Sequence, residues 1–144
     1  MRVVKAHAFG NDFLLIEESE IPQGVDRSPL ARDLCDRHCG IGADGLIVHR
    51  LTQTVRMDLL NSDGSYSEVS GNGVRCLAAW IAKSRGLRVG ESVGIDTDAG
   101  VKTLELLAIE GRRYSCRAAM GQPENVQRRT IDVDGVVKQM GAAY

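Results

Sequence analysis

The stretch EVSGNGVRCLAAWIA, from Glu68 to Ala82, decides how this chain is read. A small polar loop, Ser70-Gly-Asn-Gly73, runs directly into an apolar segment. Val74, Leu77, Ala78 and Ile81 recur at the helical period, while Ala79, Trp80 and Ala82 fill the other side. A helix apolar on most faces belongs in an interior, so a buried central helix is expected over residues 73–84, stopped at Gly86. Ser70 falls near the N-cap position, where serine is a leading choice. The first turn of a helix also presents unpaired N–H groups and a partial positive charge. Two glycines leave those donors approachable. Two readings therefore stand together: a capped tight entry turn, or a mouth that grips a carboxylate or phosphate with the Ser70 hydroxyl beside it.

Strands surround this helix. Val3 to Ala8 and Phe13 to Glu17 are β-type runs separated by the turn cluster Phe9-Gly-Asn-Asp12. A first helix is expected at Pro29, capped by Ser28, with Leu30, Ala31, Leu34 and Cys35 on one face, ending at Gly40-Ile-Gly42. Gly45 to Leu51 and Val55 to Leu60 read as strands, the second entering the turn Asn61-Ser-Asp-Gly64. Beyond Ser92 the pattern is β again. Val101 to Ile109 and Tyr114 to Met120 flank a hairpin turn, Glu110-Gly-Arg-Arg113, and a further strand is expected over Thr130 to Lys138 after a loop from Gly121 to Arg129. The expected fold is α+β, a curved, mostly antiparallel sheet wrapped around one central helix.

Bulk properties narrow the function. A chain of 144 residues is long enough to close a single core. Its net charge of −1 carries no electrostatic footprint for nucleic acid or an acidic membrane, and 4% aromatic content disfavours a base-stacking surface. No apolar run reaches the ~20 residues that cross a bilayer, and the N-terminus lacks a secretory pattern. A cytoplasmic protein with reduced Cys35, Cys39, Cys76 and Cys116 is expected. Cys35, His38 and Cys39 lack a second ligand pair, so no metal centre is expected. Cys76 and Cys116 read as packing residues. His7 and His49 lie on strand-like runs without an obvious partner. GIGADG has neither the glycine spacing nor the βαβ context of a dinucleotide fingerprint.

Three clusters besides Ser70-Gly-Asn-Gly73 could carry chemistry: Gly10-Asn-Asp12, Gly40-Ile-Gly-Ala-Asp-Gly45 and Asn61-Ser-Asp-Gly64. Each also makes an ordinary turn. Asn11 and Asn61 bring amides that donate and accept, which suits an amino-acid head group.

Four segments stand in order between residues 5 and 123: KAHAFGNDFLLI, CDRHCGIGADGL, MDLLNSDGSYSEVSGNGVRC and AMGQP. Through them the chain resembles the N-terminal half of diaminopimelate epimerase. The resemblance implies an isomerase that interconverts LL- and meso-diaminopimelate, on the route to lysine and peptidoglycan, without pyridoxal cofactor or metal. It implies a diaminopimelate-like amino acid as partner and allows a homodimer. It divides the chain into an N-terminal epimerase-like domain, residues 1–123, and a terminal strand and tail, residues 124–144, leading toward a second domain. Asn11 and Asn61 become substrate-binding residues, and Gly71 and Asn72 the helix-terminus grip on the α-carboxylate. Some relatives carry glutamine where Gly45 stands.

Ser70 occupies the catalytic seat of the family, where one of two cysteines takes or gives the α-proton. A thiol has a pKa near 8.5, which a helix N-terminus lowers into the working range. A serine hydroxyl lies far above it and needs an adjacent base. The serine is thus an engineered substitution, the mark of a homologue without epimerase activity, or the mark of altered chemistry. Two alternatives to a two-base epimerase follow. One is a one-base isomerase or dehydratase of another amino acid, as in proline racemase relatives with a hydroxyl at one cysteine position. The other is a non-catalytic amino-acid-binding or interaction remnant.

Overall fold

The computed structural model describes residues 1–51 and 54–121, together with the backbone of two further strands, Gln127–Val133 and Val136–Ala142. Strands β1 (Val4–Ala8) and β2 (Asn11–Glu17) form a hairpin across Phe9 and Gly10, both at positive φ, 54° and 83°. That pairing of angles is the two-residue hairpin turn whose twist suits the strands. The chain then passes through a short 3₁₀ turn (Glu18–Glu20) and helix α1 (Arg27–Cys35) before β3 (Gly45–Leu51) returns parallel to β2. β4 (Val55–Asn61) pairs antiparallel with β3, and the two-residue β5 (Tyr66–Ser67) folds back on β4. Helix α2 (Gly71–Arg85) follows and leads to β6 (Ser92–Thr97), which lies parallel to β4. β7 (Gly100–Glu110) and β8 (Arg113–Ala119) extend the sheet antiparallel.

The order across the sheet is β1-β2-β3-β4-β6-β7-β8, with β5 beside β4. Its two parallel joints, β2–β3 and β4–β6, are the places where a helix supplies the crossover that parallel strands require. Elsewhere the pairing is antiparallel, as expected.

Side chains alternate between two cores. Phe13 and Leu15 of β2, Ile47 of β3 and Met57 and Leu59 of β4 pack with Val74, Leu77, Ala78 and Ile81 of α2. Leu14 and Ile16, Leu46 and Val48, and Leu60 face the other way, onto Ala31 and Cys35 of α1. The continuous apolar run Phe13-Leu-Leu-Ile16 is thereby explained, since both faces of the strand are covered. No residue of α2 from Gly71 to Ala82 is exposed. Val74, Leu77 and Ile81 are fully buried. At about 1.5–3 kcal/mol each they contribute roughly 5–9 kcal/mol, comparable with the net stability of a whole domain.

Several boundaries differ from the sequence expectation. Helix α1 is capped by Asp26, whose carboxylate accepts from Ser28 N at 3.0 Å, rather than by Ser28. Pro29 is then the third helical residue, still within the turn whose N–H groups have no intrahelical acceptor. The helix ends at Cys35, ahead of Gly40-Ile-Gly42, because Asp36 Oδ1 takes the N–H groups of His38 and Cys39, both at 2.7 Å. Helix α2 begins at Gly71, two residues before the expected start, with Ser70 as its cap and Gly86 in the left-handed conformation at its end. The single strand expected over Thr130 to Lys138 is instead an antiparallel pair, β9 (Gln127–Val133) and β10 (Val136–Ala142), in a two-stranded sheet. The Asp134-Gly135 pair between them is a strong hairpin dipeptide that the strand reading passed over. The expected domain boundary at residue 123 falls outside the described residues.

Candidate active site

The start of α2 is pressed against the concave face of the sheet. A Cβ at Gly73 would lie 3.2 Å from Met57 Cε and 3.3 Å from Ile47 Cδ1, so glycine permits this close approach. Ser70 sits just outside in extended conformation, and its Oγ accepts from Gly73 N at 3.1 Å. The Ser70 carbonyl accepts from Val74 N at 2.9 Å. Among the described residues no acceptor takes the N–H of Gly71 or of Asn72. The serine is therefore a helix cap, and the two amides ahead of the capped one remain open. The capped entry turn is what the loop forms, and its first two amides are left without a partner among the described residues.

Asn11, at the start of β2, reaches this terminus from 61 residues away: its Oδ1 accepts from Asn72 Nδ2 at 3.4 Å. Asn11 Nδ2 in turn donates to Asp44 Oδ2 at 2.8 Å. Ser70, Gly71, Asn72 and Asn11 thus share one mouth. Asn61 lies at the same end of the sheet, through the register Phe13↔Gly45↔Asn61. Two strand spacings place it roughly 10 Å from β2. Its Nδ2 donates to Ser65 Oγ at 2.9 Å, so within the chain it makes no direct bond to the other four. At Gly45 a Cβ would stand 2.7 Å from the Leu60 carbonyl oxygen and 3.3 Å from the Phe13 ring, so this position leaves no room for a side chain such as glutamine unless the backbone shifts.

Two features escaped the sequence reading. Arg75, one turn into α2, donates from Nη1 to the Gly71 carbonyl at 2.7 Å, which lays a guanidinium along the first turn on its carbonyl side. Its i to i+4 spacing from Gly71 was the available signal. The second is an ion cluster behind Asn11. Arg37 contacts Asp12 Oδ1 at 2.7 Å and Asp44 Oδ1 at 2.8 Å, while Lys5 Nζ lies 3.2 Å from Asp12 Oδ2. Hydrogen bonds from Arg37 hold the Asp12 carboxyl far below the usual carboxylate range, against partial desolvation and with help from Lys5. The Asn11 amide, followed by the Asp12 N–H, keeps Asp44 low as well.

The native cysteines stand apart from this chemistry. Burial pushes Cys35 up to about 11 and Cys76 up to about 12, and raises Cys116. These three remain thiols at neutral pH, in keeping with packing roles. Among the described residues no His, Lys, Asp or Glu side chain bonds to Ser70 Oγ, so the hydroxyl has no base to activate it. The mouth offers anion-binding donors, amide acceptors and a neutral hydroxyl.

Comparison with known proteins agrees with this architecture. The family model described as diaminopimelate epimerase matches residues 3–126. The diaminopimelate epimerase of Caldanaerobacter subterraneus is 43% identical over 125 residues, covering 85% of this chain and 44% of the relative. That of Pelotomaculum thermopropionicum is 39% identical over 140 residues, covering 94% of this chain and 49% of the relative. The chain thus spans about half the length of these relatives. Among solved structures, a hydroxyproline epimerase from Agrobacterium vitis superimposes with a TM-score of 0.70 at 14% identity, over 99% of this chain and 48% of that one. A PhzF-family phenazine biosynthesis protein of Bacillus anthracis gives 0.59 at 15% identity, over 90% and 44%. Those likenesses establish the fold, and the family match with the two curated relatives establishes the lineage: the chain belongs to the diaminopimelate epimerase family.

Proposed function

We propose that this chain forms the carboxylate-gripping half of a cofactor-independent diaminopimelate-type epimerase site, one that serves lysine and peptidoglycan synthesis in the cytoplasm. The observation that carries this reading is the pair of open amides, Gly71 and Asn72, at the start of a buried helix whose Asn72 is tied to Asn11. A carboxylate seated on those amides gains the helix-terminus field. The Asn11 and Asn61 amides then meet the polar groups of the amino acid.

Residue 70 is next to the ligand's stereocentre in this arrangement. Two-base inversion requires a group there that holds or releases a proton near neutral pH. The Ser70 hydroxyl accepts from Gly73 and donates to the ligand or to water, so it binds without acting as a base. Ligand binding without turnover is the expected behaviour of the chain by itself.

The test is calorimetric titration with meso-diaminopimelate, comparing the wild type with Gly71→Pro. Proline is tolerated in the first helical position, and Ser70, at φ −130° and ψ 125°, already has the extended backbone that a following proline demands. The variant deletes one open N–H and leaves the helix in place. About tenfold weaker binding is expected. Equal affinity, or no heat from the wild type, defeats the reading.

A further inference from the structure

We infer that Arg37, Asp12 and Asp44 are positioning residues that lock the side-chain amide of Asn11, its nitrogen turned in to Asp44 and its oxygen out toward Asn72 and the mouth. The inference rests on the proposed function for its ligand, and on geometry alone for the lock.

Asp44 Oδ2 accepts from Asn11 Nδ2 at 2.8 Å and from Asp12 N at 3.0 Å. An ionised carboxylate only accepts. Turning the Asn11 amide over would set its oxygen against a carboxylate oxygen at that distance, so one orientation is enforced. Asp44 cannot swing away either, because Arg37 Nη2 holds its other oxygen at 2.8 Å. The same guanidinium grips Asp12 with both nitrogens, at 2.7 and 3.2 Å, and Asp12 Oδ1 accepts from Asp44 N at 3.1 Å. Lys5 Nζ completes the set, donating to the Gly42 carbonyl at 2.6 Å beside its contact with Asp12.

Surface ion pairs contribute little stability, and the Arg37 side chain is 52% exposed. The Asp12 side chain, at 15% exposure, is largely sheltered. What the cluster supplies is direction. Its four charges, Lys5 and Arg37 against Asp12 and Asp44, cancel, so it orients Asn11 without adding a net negative field that would repel an incoming carboxylate. An acceptor facing the mouth complements the donors of the helix terminus. A ligand N–H group is the partner such an oxygen selects.

The decisive measurement is the Asn11 side-chain amide pair in nitrogen–proton NMR spectra, assigned by its loss in Asn11→Ala. In wild type the two protons are expected to be well separated, one drawn downfield by the charged acceptor. Asp44→Asn should collapse that separation, and Arg37→Gln, at an exposed position with little risk to folding, should reduce it. With meso-diaminopimelate, Asp44→Asn should bind about tenfold more weakly, and adding Asn11→Ala should cost little more, because both changes remove one device. An unchanged amide pair in both variants, or fully additive losses, overturns the inference. If wild type gives no heat with diaminopimelate, the proposed function falls, and the amide pair then decides the positioning role alone.

Discussion

Replacing Ser70 with cysteine tests the electrostatics of the helix terminus directly. Ser70 Oγ lies 3.1 Å from Gly73 N, with the Gly71 and Asn72 amides open beside it. A thiolate at that place would accept the same N–H, now charge-assisted, and would lie in the positive field of α2. Stabilisation of an anion at a partly buried helix terminus reaches about 2 kcal/mol, and one pKa unit is about 1.36 kcal/mol. The introduced thiol should therefore titrate about 1–1.5 units below the ordinary value of about 8.5, near 7–7.5. The Asp12 carboxylate works in the opposite sense, for it already raises Cys76. Its charge, however, is matched by Arg37 and Lys5. Alkylation rate against pH in a Ser70→Cys, Cys39→Ser protein isolates the signal. Cys35 and Cys76, near 11 and 12, and the raised Cys116 stay protonated across the range that matters. A midpoint at or above about 8.5 would mean that the terminus does not act on residue 70, and the acid–base role proposed for that position would have no electrostatic basis.

Phe9 is 91% exposed at φ 54°, so replacing it by asparagine, which tolerates the left-handed region, sacrifices no packing and should stabilise by about 1 kcal/mol in denaturant titrations. Gly45→Gln should lower the melting temperature, because a Cβ there meets the Leu60 carbonyl oxygen at 2.7 Å; an unchanged melting temperature would show that β3 shifts freely. His49 is buried, its Nδ1 has no partner among the described residues, and burial lowers its pKa below the ordinary 6.5 despite the Glu17 charge. The unfolded chain binds a proton near that pH while the folded one does not, so the stability His49 contributes is complete above it and is lost as pH falls toward the folded value. Thermal melts from about pH 7.5 to 5 should show that decline, and His49→Gln should flatten it.

The residues that close the two ends of α2 were legible because each acts locally. Ser70 caps through a bond to Gly73, and Gly86 adopts a backbone conformation that glycine enters freely. Apolar periodicity then told which segment lies inside. The start of α1 was less legible, since Asp26 and Ser28 are both good caps and local chemistry does not choose between them. The β9–β10 hairpin was misread for another reason: a strand-like run carries no mark of reversal except the Asp-Gly dipeptide within it. That α1 covers the far face of the sheet was also beyond sequence pattern. The run Phe13-Leu-Leu-Ile16 marks a strand buried on both sides without naming what lies on either.

The candidate site divides in the same way. Its helix-terminus half is encoded within four residues, Ser70 to Gly73, whose conformations and cap explain why two amides stay open. Its other half depends on contacts between residues 7 to 61 positions apart, among Lys5, Asn11, Asp12, Arg37, Asp44 and Asn72. These residues are exposed or partly so, and they follow no period that would single them out from ordinary turn residues. The fold gathers them at one seam. Asn11 opens β2, and Asp44 immediately precedes β3, the strand that α1 returns parallel to β2. Asp44 N bonds the Asp12 carbonyl at 2.9 Å, so the parallel pairing itself delivers the carboxylate to the asparagine. A crossover through α1 thus brings Asp44 to Asn11, and Asn11 in turn bonds Asn72 at the terminus of α2, so that one side chain links elements on opposite faces of the sheet.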